Sequence, residues 1–203
     1  ARLSPSRIEL YGRACEALSL SPEINLGRVS VASFGLAGPP SLERDLVVSQ
    51  DDPNDPGSAS FTRTLTVDLP AAHLSLSIAG RASDDLDLYL RYDADGDGRF
   101  TEEETVASST SASASESVRL DHPVAQGQYL VMVHGYQVAG GRAGFDLQTD
   151  LLAGSDVKAE GSDAPLGAGQ SWKVTVCPPD QLPESIDEAR GLLLIGPEAA
   201  PSL

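Results

Sequence analysis

Apolar and polar residues trade places at every second position in one stretch of this chain after another, and that rhythm excludes most folds. In "FTRTLTVDL" (61–69), Phe61, Leu65, Val67 and Leu69 fall on one face, with Thr62, Thr64, Thr66 and Asp68 on the other. This is the pattern of a half-buried antiparallel strand, and Pro70 ends it. Segments 73–80, 86–92, 116–122, 127–136 and 144–152 repeat the alternation, with Gly, Pro, Asp and Ser between them. Little helical periodicity intervenes. The chain is therefore expected to be all-β, an antiparallel sandwich of about seven or eight strands.

The flanks read differently. Segments 26–36 and 44–50 look like strands, and "DDPNDPGSAS" (51–60) is a polar loop, either a linker or a long edge loop. After residue 152 a second polar stretch leads to two more apolar runs, 171–177 and 191–196. Two strands cannot close a sandwich, so this end is expected to be completed by the N-terminal strands or to be cut short. Near the start, Ile8, Tyr11, Cys15 and Leu18 keep helical spacing and Ser6 with Glu9 resembles a capping box, which predicts one short helix.

Charge and cysteine content narrow the function. With 30 acidic and 14 basic residues the net charge is -16, a field that repels phosphate backbones and favours hard cations. Nucleic acid is not an expected partner. Cys15 and Cys177 are the two cysteines; they can form one bridge or remain two buried thiols, and no zinc spacing accompanies them. No apolar run reaches the roughly 18 residues a membrane span needs. "ARLSPSRIEL" lacks the regions of a signal peptide, which suggests a processed or excised piece of something longer.

"YDADGDGRFTEEE" (92–104) is the densest charge in the chain. Counting Asp93 as position 1, Asp95 is position 3, Asp97 position 5, Gly98 position 6, Arg99 position 7, Thr101 position 9 and Glu104 position 12. That register matches a twelve-residue calcium loop of the EF-hand pattern, with Arg99 giving a backbone carbonyl and Glu104 two oxygens. Phe100 supplies an apolar anchor. The flanks are strand-like, so the loop is expected between strands. Without a cation, Thr101 and Glu104 would still explain themselves as a capping box, but the mutual repulsion of the three aspartates would go uncompensated. Calcium is the expected ligand. Asp84, Asp85 and Asp87 either extend this site, make a second one, or are exposed acids on a strand's outer face.

Catalytic motifs are missing. The histidines are His73, His122 and His134, with no nucleophile elbow, zinc-protease helix or phosphate loop beside them. His134 lies on the face opposite Tyr129, Val131 and Val133, and reads as a surface or sheet-packing residue. "SSTSASASES" (108–117) is rich in hydroxyls without a positioned base and reads as a flexible loop.

The stretch 84–152 resembles the sandwich module found after the catalytic domain of secreted bacterial subtilisin-like serine peptidases, akin to pre-peptidase C-terminal domains. "DLDLYL", "DADGDG", "VASSTS", and "GQYLVMVHGY" followed by "GFDL" carry the likeness. It implies a jelly-roll-like β-sandwich, calcium at the loop, a secreted or cell-surface location and an accessory role. "YGRACEALSL" (11–20) resembles the final helix of such a catalytic domain, while "SPEINLGRV", "GQSWKVTV" and "GLLLIG" resemble fibronectin-like strands. The expected organisation is the end of a preceding domain plus fibronectin-like strands (1–50), a calcium-binding sandwich (51–152) and a trailing fibronectin-like unit (153–203). The triad motifs of the subtilisin family have no match in the chain, so it is not expected to cleave peptides alone. Its expected partners are calcium and the catalytic domain of a parent peptidase. The competing expectation is a surface module that binds carbohydrate or protein polymer, with Tyr89, Tyr129 and Tyr136 sharing a region as a stacking platform.

Overall fold

A computed structural model describes residues 2–4, 14–25, 27–81, 83–155, 157–160, 165–179 and 189–197. Among them are β1 (Arg2–Ser4), β2 (Glu16–Ser21), β3 (Val29–Ala37), β4 (Ser41–Ser49), β5 (Phe61–Val67), β6 (Ala71–Gly80) and β7 (Asp85–Tyr92). Then come β8 (Thr105–Ser109), β9 (Ser115–Val124), β10 (Gly127–Gln137), β11 (Arg142–Ala153), β12 (Lys158–Glu160), β13 (Trp172–Cys177) and β14 (Arg190–Pro197).

The chain divides into two compact units, Pro39–Leu151, and Ala1–Gly38 together with Leu152–Leu203. The central unit is a jelly roll. Its strands pair as one long ribbon folded back on itself: β4 with β11, β5 with β10, β6 with β9 and β7 with β8. The ribbon then rolls into two antiparallel sheets, β4-β11-β6-β9 and β5-β10-β7-β8.

The two-residue alternation decides what lies between the sheets. Leu86, Leu88 and Leu90 of β7 and Leu74, Leu76 and Ile78 of β6 are all buried, as are Val131, Val133, Phe145 and Leu147. Phe61 on one sheet meets Phe145 on the other edge-to-face, with ring centroids 5.0 Å apart. Burying a Leu or Phe side chain fully stabilises by about 1.5–3 kcal/mol, so this interior is the main force holding the roll together.

The unit begins at Pro39 rather than at residue 51, because β4 pairs with β11 and its Val48 is buried. Segment 51–60 is accordingly no linker between units but a long loop joining the edge strands β4 and β5. It is tied down, with Asp51 accepting from the Gly135 amide at 2.9 Å and Gln50, just before it, donating to the Gly135 and Tyr136 carbonyls. The Ser-rich run also departs from expectation. Thr105–Ser109 is an edge strand paired with β7, and the buried Glu116 carboxylate takes hydrogen bonds from the hydroxyls of Ser109 and Ser111 and from the Ser111 amide.

The other unit is built from both ends of the chain. β2 lies between β1 and β13 in the order β1-β2-β13-β12, and β3 pairs with β14. Leu18, Val29, Val157, Leu166, Trp172, Val174 and Val176 form its core. The predicted helix is corrected here for residues 16–18. They are extended because Leu18 pairs with Val174 of β13 and is buried in that core, while Ala17 and Ser19 face out. Residues 5–13, which include Ile8 and Tyr11 of the predicted helix, lie outside the described residues. Cys15 and Cys177 are joined in a disulfide beside the β2–β13 pair, with Cα atoms 4.2 Å apart.

Candidate functional site

The acidic loop is the connection between paired strands. β7 ends at Tyr92, β8 starts at Thr105, and Arg91 pairs with Thr105. The base is anchored on one side by the Asp93 amide, which donates to the Gln128 carbonyl of β10 at 3.0 Å. On the other side Arg91, buried at 7% exposure, donates from a terminal guanidinium nitrogen to the Phe100 carbonyl at 2.9 Å.

Inside the loop each carboxylate is oriented by backbone amides two to five residues ahead. Asp93 accepts from the Gly96 amide at 2.9 Å and the Gly98 amide at 3.1 Å. Asp95 accepts from the Asp97 amide at 3.1 Å, and Asp97 from the Arg99 amide at 2.7 Å. The Asp95 and Asp97 bonds are Asx turns, in which a short side chain imitates backbone, while Asp93 reaches across to amides three and five residues on. Gly96 and Gly98 have φ of 74° and 77°, which lets the chain wind tightly enough to bring alternate side chains to one point. One oxygen from each of Asp93, Asp95 and Asp97 lies within 4.8 Å of the other two.

The remaining expected ligands stand outside that three-carboxylate group. Glu104 accepts from the Ala94 amide at 3.0 Å and from the Thr101 amide and hydroxyl at 2.7 and 3.1 Å. The Thr101 amide bond, followed by that from Ala94, holds its carboxyl below the ordinary glutamate range. Thr101 caps a short 3-10 turn, Glu102–Glu104, so the capping box and the aspartate convergence coexist. Arg99 is exposed, with its amide committed to Asp97. Oε2 takes both Thr101 hydrogen bonds, whereas Oε1 takes only the one from Ala94 and keeps a lone pair with which to ligate; a two-oxygen grip would need Oε2 to release a Thr101 bond. The donors are hard oxygens, which suit calcium or magnesium rather than zinc.

The other sequence candidates fall elsewhere. Asp84 and Asp87 are not exposed outer-face acids; each is 6% exposed. Asp84 accepts from the Ala139 amide at 2.9 Å. His134 is buried too, with Nδ1 3.4 Å from Asp87 Oδ2 and Nε2 3.0 Å from the Asp52 carbonyl. A carbonyl only accepts, so Nε2 carries hydrogen, and a further proton must lie between Nδ1 and Asp87. Burial raises the Asp87 carboxyl, against the opposing pull of the His134 hydrogen bond. His73 meets Asp121 at 3.1 Å on an exposed edge. Tyr129 is fully buried, packed against Tyr92 with ring centroids 4.9 Å apart and planes tilted by 37°, and donates to the Ala125 carbonyl, and so is no part of a stacking platform. Sequence reasoning passed over Arg91, whose signal was a lone cation interrupting an acidic outer row.

No family model matches the chain, and no curated protein matches it. Among solved structures, the crystal structure of the pre-peptidase C-terminal domain of a collagenase from Bacillus anthracis is similar at 14% identity. The match covers 64% of this chain and 95% of that one, with a TM-score of 0.36. A superposition that loose supports neither a function nor a parent. No described helix is long and apolar enough to cross a membrane.

Proposed function

We infer that the central jelly roll is a non-catalytic, calcium-stabilised accessory module of a secreted peptidase, and that the parent is subtilisin-like. The observation that carries the calcium reading is the convergence of Asp93, Asp95 and Asp97 in a twelve-residue register, with their orienting amides in place. Arg99 through its carbonyl, Thr101 and Glu104 complete the ligand set. The parent and the fibronectin-like character of the outer unit rest on the resemblance of the quoted motifs. The Cys15–Cys177 disulfide supports an oxidising, extracytoplasmic location.

The loop's role is linkage. An ion bound by the folded loop and not by the unfolded chain stabilises the sandwich by mass action, by about 2.7 kcal/mol at 100 times the dissociation constant. Melting of the central unit with calcium and with chelator tests this. Chelation should lower the melting temperature, and Asp95→Ala or Asp97→Ala should abolish the difference. A melting curve indifferent to chelator removes the calcium reading.

A further inference from the structure

The outer face of β7 carries a second feature that the calcium loop does not use. A cleft of about 410 Å³ opens there, within the roughly 300–1,000 Å³ range of ligand sites. Its floor is Asp85 and Asp87 of β7 with His134 of β10, and its walls include Tyr89, Tyr136 and two prolines of the 51–60 loop, Pro53 and Pro56. The 51–60 wall is not a loose flap. Asp55 caps its 3-10 turn through the Gly57 amide, Asp51 accepts from Ser60, and the Asp52 carbonyl accepts from His134.

The polar groups of the floor are not equivalent. Asp87 is committed within the protein, accepting from the Tyr89 hydroxyl at 3.3 Å and facing the proton at His134. His134 has both ring nitrogens engaged. Asp85 Oδ1, by contrast, is shielded from solvent and has no hydrogen-bond partner in the protein. A desolvated carboxylate oxygen without a donor is costly. Within the cleft the Tyr89 hydroxyl and His134 are taken and proline has no N–H; the lining hydroxyls of Thr110 and Tyr136 make no hydrogen bond to Asp85, and no lysine or arginine lines the cavity.

We propose that this cleft binds a cationic side chain of a polypeptide, lysine or arginine, whose head group donates to the Asp85 carboxylate through Oδ2, the oxygen not closed off from solvent, and neutralises the charge it shares with Oδ1, while its methylene stem lies between Tyr89 and Tyr136. Tyr136 is 44% exposed, unusual for a large ring, and Tyr89 is half-buried; aromatic faces attract cations and cover alkyl stems. The net charge of -16 steers such a ligand inward. A bare metal ion fits less well. Among the described residues the three-carboxylate group is the one in the 93–97 loop, and Asp85 and Asp87 belong to none.

The test is calorimetric titration of the whole chain, calcium present throughout, with three capped peptides: Gly-Arg-Gly, Gly-Lys-Gly and the neutral isostere Gly-citrulline-Gly. Amide chemical shifts locate the binding. The cationic peptides should bind at least tenfold more tightly than citrulline and shift Asp85, Tyr89 and Tyr136. Asp85→Asn should weaken them at least tenfold and leave melting unchanged or raised, since it removes a stranded charge. Tyr136→Ala, at an exposed position, should weaken them severalfold. Equal affinity for the citrulline peptide, full affinity in Asp85→Asn, or shifts confined to residues 93–104 would each overturn the proposal. The last outcome would mean adsorption to the acidic loop, so the cleft and the calcium reading fail separately.

Discussion

Opening the Cys15–Cys177 disulfide should unfold one unit and spare the other. The bridge spans 162 residues, but the central unit, 39–151, folds within that ring and fixes its own ends. The chain actually freed is the pair of tethers, 15–38 and 152–177, about 50 residues. The loop-entropy relation then gives about 4 kcal/mol for the outer unit, against about 5 kcal/mol if the whole ring were flexible. For a unit of about 90 residues, at roughly 4–8 °C per kcal/mol, the loss is about 15–30 °C in melting temperature. The chain carries its own reporter. Trp172 is the single tryptophan and sits 4% exposed in the outer unit's core, so its emission reads that unit alone. Far-ultraviolet dichroism, dominated by the eight strands of the jelly roll, reads the other. In the Cys15→Ser/Cys177→Ser variant the Trp172 urea midpoint should fall by an amount worth about 4 kcal/mol while the second transition stays in place. A Trp172 shift below about 1 kcal/mol, or one merged transition in which both signals fall together, would refute the reasoning.

Three further outcomes follow from the central unit. Gly135→Ala places a Cβ 2.0 Å from the Ser49 carbonyl oxygen, where backbone cannot yield cheaply, so urea unfolding should show a loss of at least ~2 kcal/mol. Glu116→Ala strands the hydroxyls and the amide gathered by that buried carboxylate and should cost about 2 kcal/mol, with faster hydrogen exchange in Thr105–Ser111. Burial raises Tyr129 and Tyr89 from 10.0 to about 12, with Asp87 the second cause for Tyr89. Their folded values lie above the unfolded ones, so their contribution is intact below pH 10 and lost as pH climbs toward 12. Tyr129→Phe should therefore flatten the fall of stability across that window, measured by urea titration at stepped pH.

The fold class was legible because alternation is a local consequence of strand geometry: Leu86, Leu88 and Leu90 must face one way whatever else happens, and all three are buried. The acidic loop was equally local. The backbone amides that donate to Asp93, Asp95 and Asp97 lie two to five residues on, so spacing alone placed those carboxylates together. Other elements were illegible for a physical reason. Thr105–Ser109 has hardly any apolar alternation and is a strand because β7 offers it a partner, and Leu18 is extended because β13, more than 150 residues later, does the same. The polar outer row of β7 gives the sharpest division. Two-residue spacing alone puts Asp85, Asp87, Tyr89 and Arg91 on one face; only the tertiary structure decided that the 51–60 segment would lie over that face. Burial is a property of what packs on a residue, and the covering atoms come from parts of the chain that local spacing cannot see.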